Sequence, residues 1–528
     1  MAQPADDAKS VPPTISTRTN LPIPTTDIPI ARATLLAAQK ELAEINTDEL
    51  RRSVVLSRIE LCMTALAPHK SLPVEVISRM FTLCAPGGVE LDDLSGPSYS
   101  TLGRVRHSRP GKGKDIRLIL CQICSRWRTI ALDTRKLWNN VKINFGSHKI
   151  ARVLKLLPIW LGRAGESTLS LHIDGRTDDP RVFSIVSTYA HRCHALVLED
   201  LQLDNPFFEL PAGTLRRLET MCLVGAYRYN RDLPMLPTKL PVLDGASLLR
   251  SVTLRSFSNA AEPFILHLPW QQLTSLYFDN TFPTPSQYYS ILGECENVGQ
   301  ARLDVFPSSI GGTIERRSDV EIALPSLHTL ELNTDVLGDA ARFFHSVALH
   351  ALVDLKISLA NDYDSTIFDV RCFPSLQRLS IDEGGRASQM DLEAWLRACP
   401  AAVDVWVPGH CMQRVLVDQI ADGRLLPRLK YLVLDAAVPA YIIAALESRQ
   451  RSTEHSTIVE VGFTGSEMTE WELESSERMR IARLRMVGVY MAVSKNFGRV
   501  PGEIGKLARL NAQQGRDPFA LGKENKRG

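Results

Sequence analysis

Thiols and imidazoles are the side chains whose spacing in this sequence comes nearest to a chemical site. Cys121-x-x-Cys124 is the one close cysteine pair, and His191-x-x-His194 with Cys193 forms a second group of possible ligands. Four such groups in tetrahedral array hold zinc, and a thiolate beside a base is a nucleophile. These two groups lie in distant segments of the chain, however, and a structural zinc site needs paired ligands at matched spacing. Cys121 and Cys124 therefore read as small buried hydrophobes, and neither a metal nor a cofactor is expected. G-x-S-x-G, G-x-x-x-x-G-K-[ST], H-E-x-x-H and G-x-G-x-x-G are all missing, which leaves no nucleophile elbow, phosphate cradle or zincin helix. The chain is not expected to be an enzyme.

Charge narrows the partner class. Arg104, Arg106, Arg109, Lys112, Lys114 and Arg117 make a basic run that would suit phosphate or an acidic protein surface. No aromatic residues are interleaved with it for base stacking, so it reads as a solvated loop and nothing directs the chain to nucleic acid. The formal net charge of +2 gives no global attraction to polyanions or membranes. The ten cysteines are scattered without the regular spacing of a disulfide framework. The start, Met1-Ala2-Gln3-Pro4-Ala5-Asp6-Asp7, has neither a basic nor an apolar leader segment, and no apolar run is long enough to span a bilayer. A cytoplasmic or nuclear protein is expected.

Residues 1–30, rich in Pro, Thr, Ser and Asp, carry no apolar period and are expected to be disordered. Residues 31–68 change character. Leu35, Ala38, Leu42, Ile45, Leu56, Ile59, Met63 and Leu66 keep one heptad frame, with Glu49 and Arg52 in the middle places. This predicts a coiled-coil-like helical segment, either one long helix or two broken near Asn46. Leu72-Pro73 then sets the entry to another helix, since proline is tolerated where its missing N–H would have no partner. Val76, Ile77, Met80, Phe81 and Cys84 form its apolar stripe. A second helix is expected after Asp115, which can cap it, with Ile116, Ile119, Ile123, Trp127 and Ile130 along one face. Two short helices cannot hide both stripes against each other, and the remaining apolar surface calls for a partner.

Leu72-Pro73-x-Glu75, then Cys124-x-x-Trp127, then Leu137-Trp138 stand in the order of an F-box, and residues 69–143 resemble that family. They are similar to its interrupted fungal form, because residues 85–115 hold Pro86-Gly87-Gly88, Ser95-Gly96-Pro97 and Pro110-Gly111-Lys112-Gly113-Lys114, and this insertion is expected to be mobile. The resemblance implies a Skp-type adaptor as partner, and through it a cullin ubiquitin ligase. It implies contact through Leu72, Pro73, Glu75, Val76, Ile77, Ile123, Cys124 and Trp127.

Residues 144–465 repeat themselves. Leu327-His328-Thr329-Leu330-Glu331-Leu332, Leu376-Gln377-Arg378-Leu379-Ser380-Ile381 and Leu429-Lys430-Tyr431-Leu432-Val433-Leu434 all read L-x-x-L-x-L, with Pro325, Pro374 and Pro427 two residues ahead. Weaker copies anchor on Leu171, Leu198, Leu223, Leu254, Phe278, Leu303, Ile357, Val407 and Val461, at spacings of 24 to 31 residues. One strand and one returning helix or turn per unit is the pattern of leucine-rich repeats. A lone L-x-L strand cannot bury its leucines, whereas stacked copies form a parallel sheet over a continuous core. The expected fold class is thus α/β, an N-terminal helical F-box-like segment followed by a leucine-rich-repeat-like solenoid. Residues 466–494 would cap it, and residues 495–528 form a basic flexible tail with a Lys-Glu-Asn tripeptide.

Alternation along such strands places Tyr277, Arg302, Glu331, Lys356, Trp406 and Val433 on the open face, with Asp279, Asp304, Asp382 and Asp435 at strand ends. Asp279 and Asp304, in adjacent repeats, either stand close enough to repel each other and welcome a cationic partner or simply start turns by accepting backbone hydrogen bonds. Trp406 is the residue expected to anchor a partner. The chain reads as the substrate-recognition adaptor of a Skp-cullin-F-box type ubiquitin ligase, with an unknown protein substrate on the repeats. Two alternatives are a repeat scaffold outside any ligase and, with little support, a zinc- or thiol-dependent enzyme using Cys121 and Cys124.

Overall fold

The computed structural model describes residues 24–45, 48–67, 72–85, 89–91, 115–144, 150–174, 179–201, 210–225, 241–255, 268–279, 281, 285–305, 322–334, 343–359, 373–383, 392–408, 412–435, 440–451, 458–464 and 475–494. It divides into two compact units, Met1–Leu196 and Val197–Gly528. The expectations for residues 1–23, for nearly all of the insertion with its basic run, and for the tail with its Lys-Glu-Asn tripeptide fall outside the described residues. The chain mixes helices with a large parallel sheet and has helices at its N-terminal end.

The first unit opens with α1 (Ile28–Glu44) and α2 (Glu49–Ala65). The heptad frame is thus carried by two helices, and Asp48 caps the second by accepting from the Arg51 N–H at 3.0 Å. Small side chains at Ala31, Ala38, Cys62 and Ala65 are buried, which lets two helices approach closely. Glu41 pairs with Arg51 and with Arg58, both at 3.2 Å. Leu56 and Met63 belong to the heptad frame, yet both are exposed.

α3 (Val74–Cys84), β1 (Val89–Leu91), α4 (Ile116–Ile123) and α5 (Ser125–Asp133) follow. The helix expected to run from Asp115 through Ile130 is two helices, because Cys124 is extended at φ −159°, ψ 168°. Its sulfur accepts from the Trp127 N–H at 3.4 Å and so caps the second piece. Asp115 caps the first, accepting from the Arg117 N–H at 2.8 Å. β2 (Asn140–Asn144), α6 (Ile150–Arg163), β3 (Leu169–Asp174), α7 (Pro180–Ala190) and β4 (Cys193–Leu201) complete the run, β4 crossing the unit boundary. β1 to β3 pair in parallel, with Val89 opposite Val141 and Ile143 opposite Ile173. Val89–Leu91 lies within the interval read as an insertion.

In the second unit the strands β5 (Thr220–Gly225), β6 (Ser251–Arg255), β7 (Ser275–Asp279), β8 (Gln300–Val305), β9 (Thr329–Thr334), β10 (Asp354–Leu359), β11 (Arg378–Glu383), β12 (Asp404–Pro408), β13 (Tyr431–Asp435), β14 (Glu460–Thr464) and β15 (Tyr490–Ser494) pair in parallel and in chain order. A two-residue parallel bridge joins Ile322–Ala323 to Val347–Ala348. A tight turn leads into most strands, and its last N–H bonds back three residues: Leu249 to Ala246, Leu273 to Trp270, Leu327 to Leu324, Leu352 to Leu349, Leu376 to Phe373 and Leu429 to Leu426. Pro325, Pro374 and Pro427 stand just inside such turns, where a fixed φ near −65° is already correct. One residue further on the N–H groups form their own ladder, Arg250 to Glu219, Thr274 to Arg250, Gly299 to Thr274, His328 to Gly299, Val353 to His328, Gln377 to Val353, Val403 to Gln377, Lys430 to Val403 and Val459 to Lys430. Each turn is therefore tied to the one before it.

The L-x-L leucines face the core as expected, Leu330 and Leu332 beside Leu355 and Ile357 and then Leu379 and Ile381. Ahead of them lies a further buried column at the turn entrances, Ala246, Trp270, Leu324, Leu349, Phe373, Cys399 and Leu426. The Val461 anchor is displaced. Val461 pairs with Leu432, so Phe463 is the residue equivalent to Leu434. α9 (Leu392–Ala398, after α8 at Pro285–Glu294) buries Leu392, Trp395 and Leu396, and its Trp395 meets Phe344 and Phe373 edge-on and stacked. α10 (Arg414–Ala421) and α11 (Ala440–Arg451) follow. The fully buried Arg449 donates to the Leu426 carbonyl at 2.8 Å and to the Pro427 carbonyl at 3.2 Å, closing a turn in which Leu426 takes φ +51°. α12 (Ser475–Met486) precedes β15, both within the segment expected to be a cap.

Candidate functional site

Two surfaces gather the residues singled out in the sequence. The first is built by α3, α4 and α5. Pro73 stands at the N-cap of α3, and its carbonyl accepts the Ile77 N–H at 3.1 Å. Arg126 donates to the Leu72 carbonyl at 2.7 Å, fixing this entry against α5. The Thr134 and Ser78 hydroxyls meet at 3.0 Å. Ile77 and Phe81 are the inward side of α3, and the Phe81 ring lies 4.9 Å from that of the half-buried Trp127.

The rest of the expected stripes points outward. Val76 is 42% exposed and Ile123 53%. Val74, Met80 and Leu83 on α3 and Ile116, Leu118 and Ile119 on α4 are exposed with them, as are Pro73, Glu75 and Cys84. Leu120 is buried in their place, and so is Arg117. The Arg117 guanidinium donates to the Leu137 carbonyl at 2.8 Å and pairs with Asp115 at 3.3 Å. Burial lowers its pKa and Asp115 opposes that shift. Cys124 is half-buried in its capping role. Burial also raises the Cys121 thiol pKa, the opposite of what an activated thiolate needs. The Cys193 and Cys295 thiols are pushed up to about 12 by burial. Among the described residues no group of three or more His, Cys, Asp or Glu could hold a metal ion.

The second surface is the face of the unit 2 strands opposite the leucine core. Register places Thr253, Tyr277, Arg302, Glu331, Lys356, Ser380, Trp406 and Val433 in one row. Tyr277, Arg302, Glu331, Lys356 and Trp406 are partly exposed, whereas Val433 is buried. Asp279 and Asp304 are buried rather than open. Asp279 pairs with Arg255 at 2.8 Å, with Arg302 at 4.0 Å, and Asp304 accepts from the Asn333 amide at 2.5 Å. For Asp279 the cation that the sequence leaves to a partner is thus supplied within the chain, and for Asp304 a neutral amide donates instead. The side chains of Asp382 and Asp435 fall outside what is described.

At the starts of the neighbouring strands Asp354, Arg378, Asp404, Tyr431 and Glu460 form a parallel row. Burial raises the Asp354 carboxyl pKa, with Arg378 opposing. The Asp404 carboxyl is pushed up to about 7, chiefly by burial and then by Glu460 and Asp354 against the pull of Arg378. An aspartate raised in this way holds a native-state proton between its unfolded value and about 7, so it makes the protein more stable as pH falls through that window and less stable as pH rises. Asp404→Asn removes the charge at nearly constant size. It should raise Tm by a few degrees at about pH 8 and change it little at about pH 5, as thermal unfolding at both pH values will measure.

No protein-family model matches the chain, and no curated protein matches it. No described helix is long and apolar enough to cross a membrane.

Proposed function

We propose that this protein is the substrate-recognition adaptor of a Skp-cullin-F-box type ubiquitin ligase, its first unit docking a Skp-type adaptor and its second, a leucine-rich-repeat-like solenoid, presenting a protein substrate. Catalysis then belongs to other subunits. The observation that carries the reading is the apolar surface on α3 and α4: Val74, Val76, Met80, Leu83, Ile116, Leu118, Ile119 and Ile123 are all exposed, although Ile77, Phe81 and Leu120 already fill the inward side. So many exposed aliphatic side chains on two short neighbouring helices are costly in water and are the mark of a surface that is covered by another protein. They flank the Leu72-Pro73 entry, and Cys124, Trp127 and Leu137-Trp138 follow in the family's order.

The parallel strands in chain order, with a repeated turn before each, support the solenoid. The test is direct binding of the intact chain to a purified Skp-type adaptor, followed by size-exclusion chromatography. A stable complex is expected. Absence of binding by folded protein would leave the repeat scaffold outside any ligase.

A further inference from the structure

The open face of the second unit changes character along the sheet. On β7 to β10 the carboxylates of Asp279 and Glu331 each meet two cations, the first Arg255 and Arg302, the second Lys356 at 2.8 Å and Arg302 at 3.9 Å. On β10 to β14 the row at the strand starts differs. Arg378, paired with Asp354 at 2.7 Å, is the cation of a row that also holds Asp404 and Glu460. Two residues along the same strands, and therefore on the same face, Trp406 is bordered by Ser380 and by Val433 with Gly462 beyond it. Trp406 is partly exposed there.

We propose that this part of the sheet docks an extended protein segment through an arginine or lysine side chain, the cation lying against the Trp406 indole beside the Asp404 carboxylate; the proposal rests on the adaptor reading above for the meaning of its partner. Tryptophan offers the strongest aromatic face for a cation, and the contact gains strength where water is partly excluded. Asp404 already bears the cost of burial and of two like charges, and an incoming cation relieves both. Tyr431, Glu460, Asp354 and Arg378 share its row, while Lys356 and Glu331 are engaged with each other. The Asp404 carboxylate beside an aromatic face attracts a cation and not a phosphate, so a basic peptide and not a nucleic acid is the fitting partner.

The experiment uses the intact chain and two labelled synthetic peptides of equal length, one alternating serine with arginine and one alternating serine with glutamine, followed by fluorescence anisotropy at physiological ionic strength. The arginine peptide is expected to bind and the glutamine peptide to fail. Trp406→Ala and Asp404→Asn should each weaken binding by about tenfold, and Trp406→Phe by much less. Binding should weaken between about pH 8 and about pH 6 as Asp404 takes up its proton. Asp404→Asn is expected to stabilise the fold, so its loss of binding cannot be unfolding. Equal affinity of all three variants, or equal binding of both peptides, overturns the proposal. Adaptor binding is measured on the same preparations. Peptide discrimination without adaptor binding keeps this docking face and removes the ligase reading, whereas adaptor binding without discrimination removes the docking face alone.

Discussion

Trp138→Ala should destabilise the first unit by about 3–5 kcal/mol, the usual cost of deleting a buried aromatic side chain. Trp138 is fully buried, and its indole N–H donates to the Ala131 carbonyl at 2.8 Å. Trp160 meets it edge-on with centroids 5.0 Å apart, and the Arg163 guanidinium lies 4.7 Å from its ring centroid. Alanine removes all of these contacts and leaves a void between α5, β2 and α6. A loss of that size is a large part of the about 5–15 kcal/mol that holds a typical domain together. Trp138→Phe keeps a ring but orphans the Ala131 carbonyl, and should cost about 1–3 kcal/mol. Denaturant titration with hydrogen exchange read over α5 and α6 separates the two variants. A cost below about 1 kcal/mol for alanine would mean that these elements do not share one core.

Trp138 shows how far local pattern reaches. Its place after Leu137 marked it, because a short motif needs only local information. The L-x-L pairs and the cap at Asp115 were legible for the same reason, whereas the break between α1 and α2 was one of two options left open. The break at Cys124 was not. Ile116, Ile119, Ile123, Trp127 and Ile130 keep a helical period across it, yet the extended Cys124 backbone redirects the chain, so the first three are exposed while Ile130 is buried. Local pattern also placed Arg117 outside, but the Leu137 carbonyl, distant in sequence, needs a donor and draws it in. Asp279 and Asp304 failed in the same way. Alternation gives their strand positions, whereas the Arg255 and Asn333 that satisfy them stand on neighbouring strands and are set by register.

Val76→Asp and Ile123→Asp should each weaken adaptor binding by about 100-fold or more while leaving the fold intact. Both side chains are exposed on helices whose inward sides belong to Ile77, Phe81 and Leu120. A substitution that touches no core contact changes stability by roughly 0.5 kcal/mol or less, so unfolding curves should nearly superimpose on those of the wild type. In the proposed complex the same carboxylate would be pressed against the apolar surface of α3 and α4 that the partner covers. An uncompensated buried charge costs about 3–5 kcal/mol, and about 2.8 kcal/mol already corresponds to a hundredfold loss. Ile77→Ala gives the contrasting signature, because Ile77 is fully buried beside Phe81: stability falls by about 2–5 kcal/mol, and adaptor binding falls only as the folded fraction does. Isothermal titration against purified adaptor, with thermal unfolding of each variant, distinguishes the two. Wild-type affinity in both aspartate variants would place the adaptor contact away from the exposed sides of α3 and α4.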